Sequence, residues 1–99
     1  MPNTILAATT DATQSGEVIV DKDTSPVSFY CPGIAGAEAG DLQYKDAGGS
    51  WHDYYKDGSQ EQVTATNSEV TVYAMGIFRI NKDATAGATS VEVSTNKKP

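Results

Sequence analysis

Cysteine, histidine and tryptophan each occur once in this chain of 99 residues. Cys31 alone cannot close an intrachain disulfide. With His52 as its only soft companion, it cannot assemble an ordinary zinc site either. Positive charge is scarce: 7 Lys and Arg stand against 13 Asp and Glu, a formal net charge of −6. Such a chain repels phosphate backbones, which argues against nucleic acid as a partner. The imbalance lies mainly in residues 1–50, where 2 bases face 7 acids to give −5, while residues 51–99 have 5 against 6 and carry −1. No apolar run has the length of a membrane span. The N-terminus has no basic n-region and only Ile5–Ala8 as an apolar run, so no secretory signal is expected, and the simplest site of folding is a reducing cytoplasm. Helical periodicity is also missing. The nearest candidate, Ile34 to Leu42, is interrupted by glycine.

What the chain does have is alternation. Val63 and Ala65 alternate with Thr64 and Thr66, Val70 and Val72 with Thr71 and Tyr73, and Phe78 and Ile80 flank Arg79. Period-2 patterning places apolar side chains on one face of a sheet and polar ones on the other. Turn signals at Gly48-Gly49, Asp57-Gly58 and Asn67-Ser68 punctuate these runs, as in an antiparallel meander. Strands are expected over 17–21, 26–31, 41–45, 50–56, 60–66, 69–75, 77–81 and 89–94. The fold class is all-β, a small antiparallel β-sandwich or barrel of about seven to eight strands. Residues 1–16, rich in Thr and Ala and without aromatics, are expected to be a flexible N-terminal arm. The sandwich domain then covers 17–95 and a charged tail 96–99.

Two hairpins can be registered. A two-residue Asn67-Ser68 loop sets Ala65 opposite Val70 and Val63 opposite Val72, so apolar meets apolar along the ladder. At Asp57-Gly58, a two-residue loop puts His52 and Tyr54 on the face of Val63. A three-residue loop with Gly58 left-handed puts Trp51 there instead. The second is preferred because burying the only Trp adds most to a small core. Glu17–Asp21, with Val18, Ile19 and Val20 consecutive, suits a strand covered on both sides. Cys31 falls on the apolar side of its strand, as a small hydrophobe.

Chemistry is sparsely supplied. Asp21 and Asp23 resemble a fragment of a calcium loop but lack its glycine and distal Glu. Gly33, Gly36 and Gly40 have no following Lys-Ser/Thr for a phosphate cradle. His52 beside Asp53 would need a nucleophile, and Ser50 and Ser59 are candidates by proximity alone, neither in a nucleophile elbow. Asp53 and Glu61 face one another in the preferred register, yet acidic sheets produce such pairs routinely. No enzymatic activity, cofactor or metal is expected. Trp51, His52, Tyr54 and Tyr55 form the densest aromatic cluster, two facing inward and two outward. Outward aromatics suit protein contacts or carbohydrate stacking.

The run SPVSFYCPG, followed by DLQYKDAGGSWHDYYKDGSQEQVTATNSEVTVYAMGIFRINKDATAGATSVEVS, resembles short β-rich structural proteins of tailed bacteriophages, among them capsid decoration (cement) proteins. The likeness covers about residues 17–94 and rests on a Trp-containing strand, an Asp-Gly turn, an Asn turn and the run G-I-F-R-I-N-K. It implies a β-sandwich that docks on the major capsid protein lattice, often at three-fold positions, and reinforces the shell. Self-association, as a trimer, is implied at such sites. The protein would be made in the host cytoplasm and reside on the virion capsid surface, with neither nucleic acid nor membrane as partner. The family offers no contact residues to carry over. The chain's own candidates for a protein interface are Ile5 and Leu6, as anchors of an arm that orders on its partner, and Tyr54. Two other readings compete: an immunoglobulin-like carbohydrate-binding module, and a phage tail or head-fibre component. An initiator Met, 99 residues and no secretion signal favour the decoration protein as the expectation.

Overall fold

The computed structural model describes residues 3–95. They form twelve short strands and no helix: β1 (Asn3–Thr9), β2 (Thr13–Gln14), β3 (Val18–Val20), β4 (Val27–Tyr30), β5 (Ala39–Lys45), β6 (Trp51–Asp53), β7 (Tyr55–Lys56), β8 (Ser59–Gln60), β9 (Gln62–Thr64), β10 (Glu69–Val72), β11 (Gly76–Lys82) and β12 (Thr89–Thr95). All strand pairings are antiparallel. One sheet has the order β1-β12-β4-β10. The other is built on β2-β11-β5-β6, with β3 also on β11 and β9 also on β5. The fold is a small all-β sandwich.

The alternation identified in the sequence builds its core. Val27 and Phe29, Val70 and Val72, and Val91 and Val93 point inward from the four-stranded sheet, against Leu42, Val63, Phe78 and Ile80 of the other. Cys31 is buried on the apolar side, and burial pushes its thiol up to about 11. Gly40 is closely covered: a Cβ there would lie 2.8 Å from Ile80 Cγ2 and 3.0 Å from Cys31 Sγ. Only a residue without a side chain fits.

Three expectations are corrected. First, the Asn67-Ser68 loop does not make a hairpin. β9 pairs with β5 and β10 with β4, in different sheets. Val63 and Val72 share the core without sharing a ladder, and Ala65 is exposed. Apolar matching across a turn is equally well satisfied by a corner between sheets, because both runs face the same interior. Second, the Asp57-Gly58 loop has two residues: Lys56 pairs with Ser59, and Asp57 and Gly58 have φ of 53° and 82°. Positive φ at both central positions is the type I′ geometry that matches strand twist. The hairpin stops at Tyr55 and Gln60, and β6 and β9 both pair with β5 rather than with each other; Tyr54, not Trp51, turns towards the core.

Third, the segment expected as an arm is part of the fold. β1 pairs with β12 over Asn3–Thr9, with register shifts between Thr4 and Leu6 and between Leu6 and Thr9. A bulge lets adjacent residues lean the same way, so Ile5 and Leu6 both pack half-buried against the core. The chain then crosses to the second sheet, where Ser15 N donates to Ile80 O at 2.9 Å and Gly16 N to Ile5 O at 2.9 Å. Lys82, fully buried, secures the crossing by donating to the carbonyls of Asp11 (2.8 Å) and Asp83 (2.9 Å). A terminus without aromatics is held here by backbone ladders and one buried ammonium rather than by a large apolar face. The tail at 96–99 lies outside the described residues.

Candidate functional site: an aromatic end of the sandwich

The strands run alternately up and down between two ends. At one end lie the connections 21–26, 46–50 and 73–75, where Gly76 pairs with Val20, Tyr44 with Phe78 and Val27 with Val72. At the other lie the connections 10–12, 31–38, 65–68 and 83–88. Among the described residues the exposed large apolar side chains are Ile19, Tyr44, Tyr55, Tyr73 and Met75. All belong to the first end or to the β7–β8 hairpin beside it.

The aromatic side chains there are held in place. Tyr54 leaves the β6 lane with its backbone N–H on Leu42 O at 2.9 Å, and its ring meets Phe78 edge-on at 5.5 Å. Tyr44 stands edge-on to Tyr54 at 6.1 Å and tilted against His52 at 5.3 Å. A continuous aromatic stack thus runs from the core to the surface, each contact favouring the edge or tilted geometry that ring quadrupoles prefer. Tyr73 is fixed through its backbone, whose carbonyl accepts from Ser25 Oγ at 3.2 Å, and the Lys56 ammonium lies 5.8 Å from its ring centroid.

The loops of this end hold their own carboxylates. Asp46 accepts from Gly48 N and Ser50 N, both at 2.9 Å, and its Oδ2 lies 2.6 Å from His52 Nε2. The His52 contact, followed by those backbone donors, holds the Asp46 carboxyl below the usual carboxylate range. Asp21 Oδ1 accepts from Asp23 N (2.9 Å), Thr24 N (3.1 Å) and Thr24 Oγ1 (3.1 Å), which lowers its pKa in the same way. The Asp21-Asp23 pair taken from the sequence as a calcium-loop fragment is a self-capped turn. Lys45 pairs with Glu17 at 3.5 Å.

Bases are unevenly placed and acids are not: Lys22, Lys45, Lys56 and Arg79 lie in the aromatic half together with Glu17, Asp21, Asp23, Asp46, Asp53 and Asp57. Asp11, Glu38, Asp41, Glu69 and Asp83 lie in the far half, where Lys82 is the one base among the described residues and is buried. The far loops are laced together: Glu38 accepts from Ala35 N and Ala86 N, each at 2.9 Å, and Asp83 Oδ2 accepts from Ala39 N at 3.2 Å. Those two amides hold Glu38 below the ordinary carboxylate range.

The sequence candidates scatter. Ile5 and Leu6 sit in β1, half-buried against the core, and Tyr54 sits half-buried beneath Tyr44. Trp51 lies on the outer face of the six-stranded sheet, with the Arg79 guanidinium 4.2 Å and the Lys45 ammonium 5.8 Å from its ring centroid. Arg79 Nε also donates to Gln43 Oε1 at 2.9 Å, and Gln43 Nε2 to Asp53 Oδ1 at 3.0 Å. Asp53 thus pairs with Gln43 rather than facing Glu61. His52 hydrogen-bonds to Asp46, and among the described residues no hydrogen bond joins it to Ser50 or Ser59.

Sequence reasoning missed Ile19, Tyr44, Tyr73 and Met75. Two signals were present. Tyr73 falls out of phase with Val70 and Val72, which assigns it to the outer side of the run. Ile19 stands between two inward valines, so it needs a second cover, yet it is 64% exposed. No family model, curated protein or solved structure matches the chain.

Proposed function

We propose that this protein is a bacteriophage capsid decoration (cement) protein, which binds the outer surface of the major capsid protein lattice and stabilises the shell. The observation that supports the reading is that the exposed large apolar side chains lie towards one end of the domain, opposite an end whose loops are hydrogen-bonded to one another. Soluble domains seldom concentrate such side chains without a partner to cover them. Tyr and Met are also residue types enriched where proteins meet. Many copies on one lattice would bring avidity, so modest contact per copy suffices. Self-association at three-fold positions belongs to the same proposal. A carbohydrate-binding module would present its Trp face to a sugar, whereas Arg79 lies over the Trp51 ring.

The test is co-sedimentation with empty expanded shells assembled from the major capsid protein of the phage that supplies this chain. The protein should pellet with shells at a fixed, saturable ratio and raise the temperature at which they come apart. Shells that sediment bare, with unchanged heat stability, contradict the proposal.

A further inference from the structure

We propose that Asp57 is a site of isoaspartate formation: its link to Gly58 migrates from the main-chain to the side-chain carboxyl carbon while the protein stays folded, with water the only co-reactant. The Gly58 nitrogen attacks Cγ of the protonated side chain, a C–N bond forms, and the amide proton leaves with the carboxyl OH as water. Water then enters the resulting succinimide at the Asp57 main-chain carbonyl carbon. The bond from that carbon to the Gly58 nitrogen breaks, and the nitrogen recovers a proton. The main chain now runs through Cβ and Cγ, with no change in mass.

Geometry singles out this aspartate among the eight in the chain. Asp57 alone is followed by glycine, which puts no Cβ in the way of the attacking nitrogen. Both residues are exposed, and a Cβ at Gly58 would meet nothing within 4 Å. Among the described residues, neither the Asp57 carboxylate nor the Gly58 N–H has a hydrogen-bond partner, and Asp57 is in no ion pair. By contrast, Asp21, Asp41, Asp46, Asp53 and Asp83 all accept hydrogen bonds. The Thr24 N–H that would attack Asp23 is already donated to Asp21. Asp11 is followed by Ala12, and its main-chain carbonyl is held by the Lys82 ammonium at 2.8 Å.

Ring closure needs rotation about the Asp57 Cα–C bond away from the turn conformation, and this hairpin permits it. β7 and β8 pair only with each other, Tyr55 with Gln60 and Lys56 with Ser59. A two-stranded ladder this short opens locally without unfolding the sandwich. Asp57 also holds a φ of 53°, a left-handed conformation that costs an L residue free energy. The β-linked product adds a methylene to the main chain. It ends the tight pairing of Lys56 with Ser59 and frees the Lys56 ammonium from the Tyr73 ring, whose centroid lies 5.8 Å away.

The test is to age the folded full-length protein for weeks at body temperature in mildly acidic buffer. Electron-transfer fragmentation of its peptides locates a β-linked aspartate. Methyl transfer from S-adenosylmethionine by an isoaspartyl methyltransferase measures the total. Isoaspartate at Asp57 should exceed that at any other aspartate at least about tenfold, the advantage of a group freed by local opening over one freed only with the whole fold. Asp57→Asn keeps a residue favoured in this turn and should convert faster, the exchange of ammonia for water marking the site by mass. Asp57→Glu, whose longer side chain disfavours ring closure, should remove most of the methyl acceptance. No β-linkage at Asp57 in the folded protein, or equal conversion at Asp11 or Asp23, would overturn the assignment. So would conversion that appears only in urea, since the hairpin would then not open on its own.

Discussion

Trp51 and Tyr54 exchange the roles their sizes suggest. Trp is the larger hydrophobe, yet β6 pairs with β5 in a register that sets Trp51 opposite Lys45 on the outer face under Arg79, while Tyr54 meets Phe78. Trp51→Ala should therefore cost only about 1 kcal/mol, the worth of a half-exposed ring and its cation–π contacts. Tyr54→Ala should cost about 2–3 kcal/mol. Urea unfolding of the two variants checks the order, and a larger loss for Trp51→Ala would return it to the core. Cys31 makes a second residue-scale prediction. Its thiol, pushed up to about 11 from 9.0, keeps its proton in the folded state after the unfolded chain has lost it. The folded state then binds more protons across that window, so its contribution to stability is full below about pH 9 and declines as pH rises towards 11. Cys31→Ala should flatten this alkaline decline in denaturant midpoints measured between those limits. An unchanged slope would show that Cys31 does not contribute. At this scale the buried face was legible, from Val27 to Val93, because alternation alone determines it. The exposed anchors were not, since an outward Tyr looks the same in sequence whether solvent or a partner covers it.

Strands were legible as elements, and their partners were not. Each expected run from 17–21 to 89–94 contains or overlaps an observed strand. The alternation that identifies β9 and β10, however, says only that both face one interior, and not that they lie in different sheets. β1 escaped notice for another reason. Its bulges break the period, placing Ile5 and Leu6 on the core together, and its ladder to β12 is a backbone interaction that composition does not reveal. The consequence reverses what an arm would imply. Deleting residues 1–12 from a free terminus would leave the domain intact. Here it removes the partner of β12, two half-buried apolar side chains and the carbonyl held by Lys82. The truncated protein should lose about 2–4 kcal/mol, seen as a drop in melting temperature of roughly 10 °C or more. An unchanged melting temperature would mean that β1 adds nothing to the fold.

At the scale of the molecule, sequence conveyed the fold class and the net charge but not their arrangement. Acids spread over both ends once the strands are threaded, whereas the exposed bases of the described residues collect with Tyr44, Tyr55, Tyr73 and Met75. The segments that build the aromatic end, 19–25, 44–56 and 73–76, are distant in the chain and meet only because consecutive strands reverse direction. The proposed function can be seen directly. Electron cryomicroscopy of empty shells saturated with the protein should show added density of this domain's size repeated at equivalent positions on the outer surface of the lattice. Shells without added density would contradict the account.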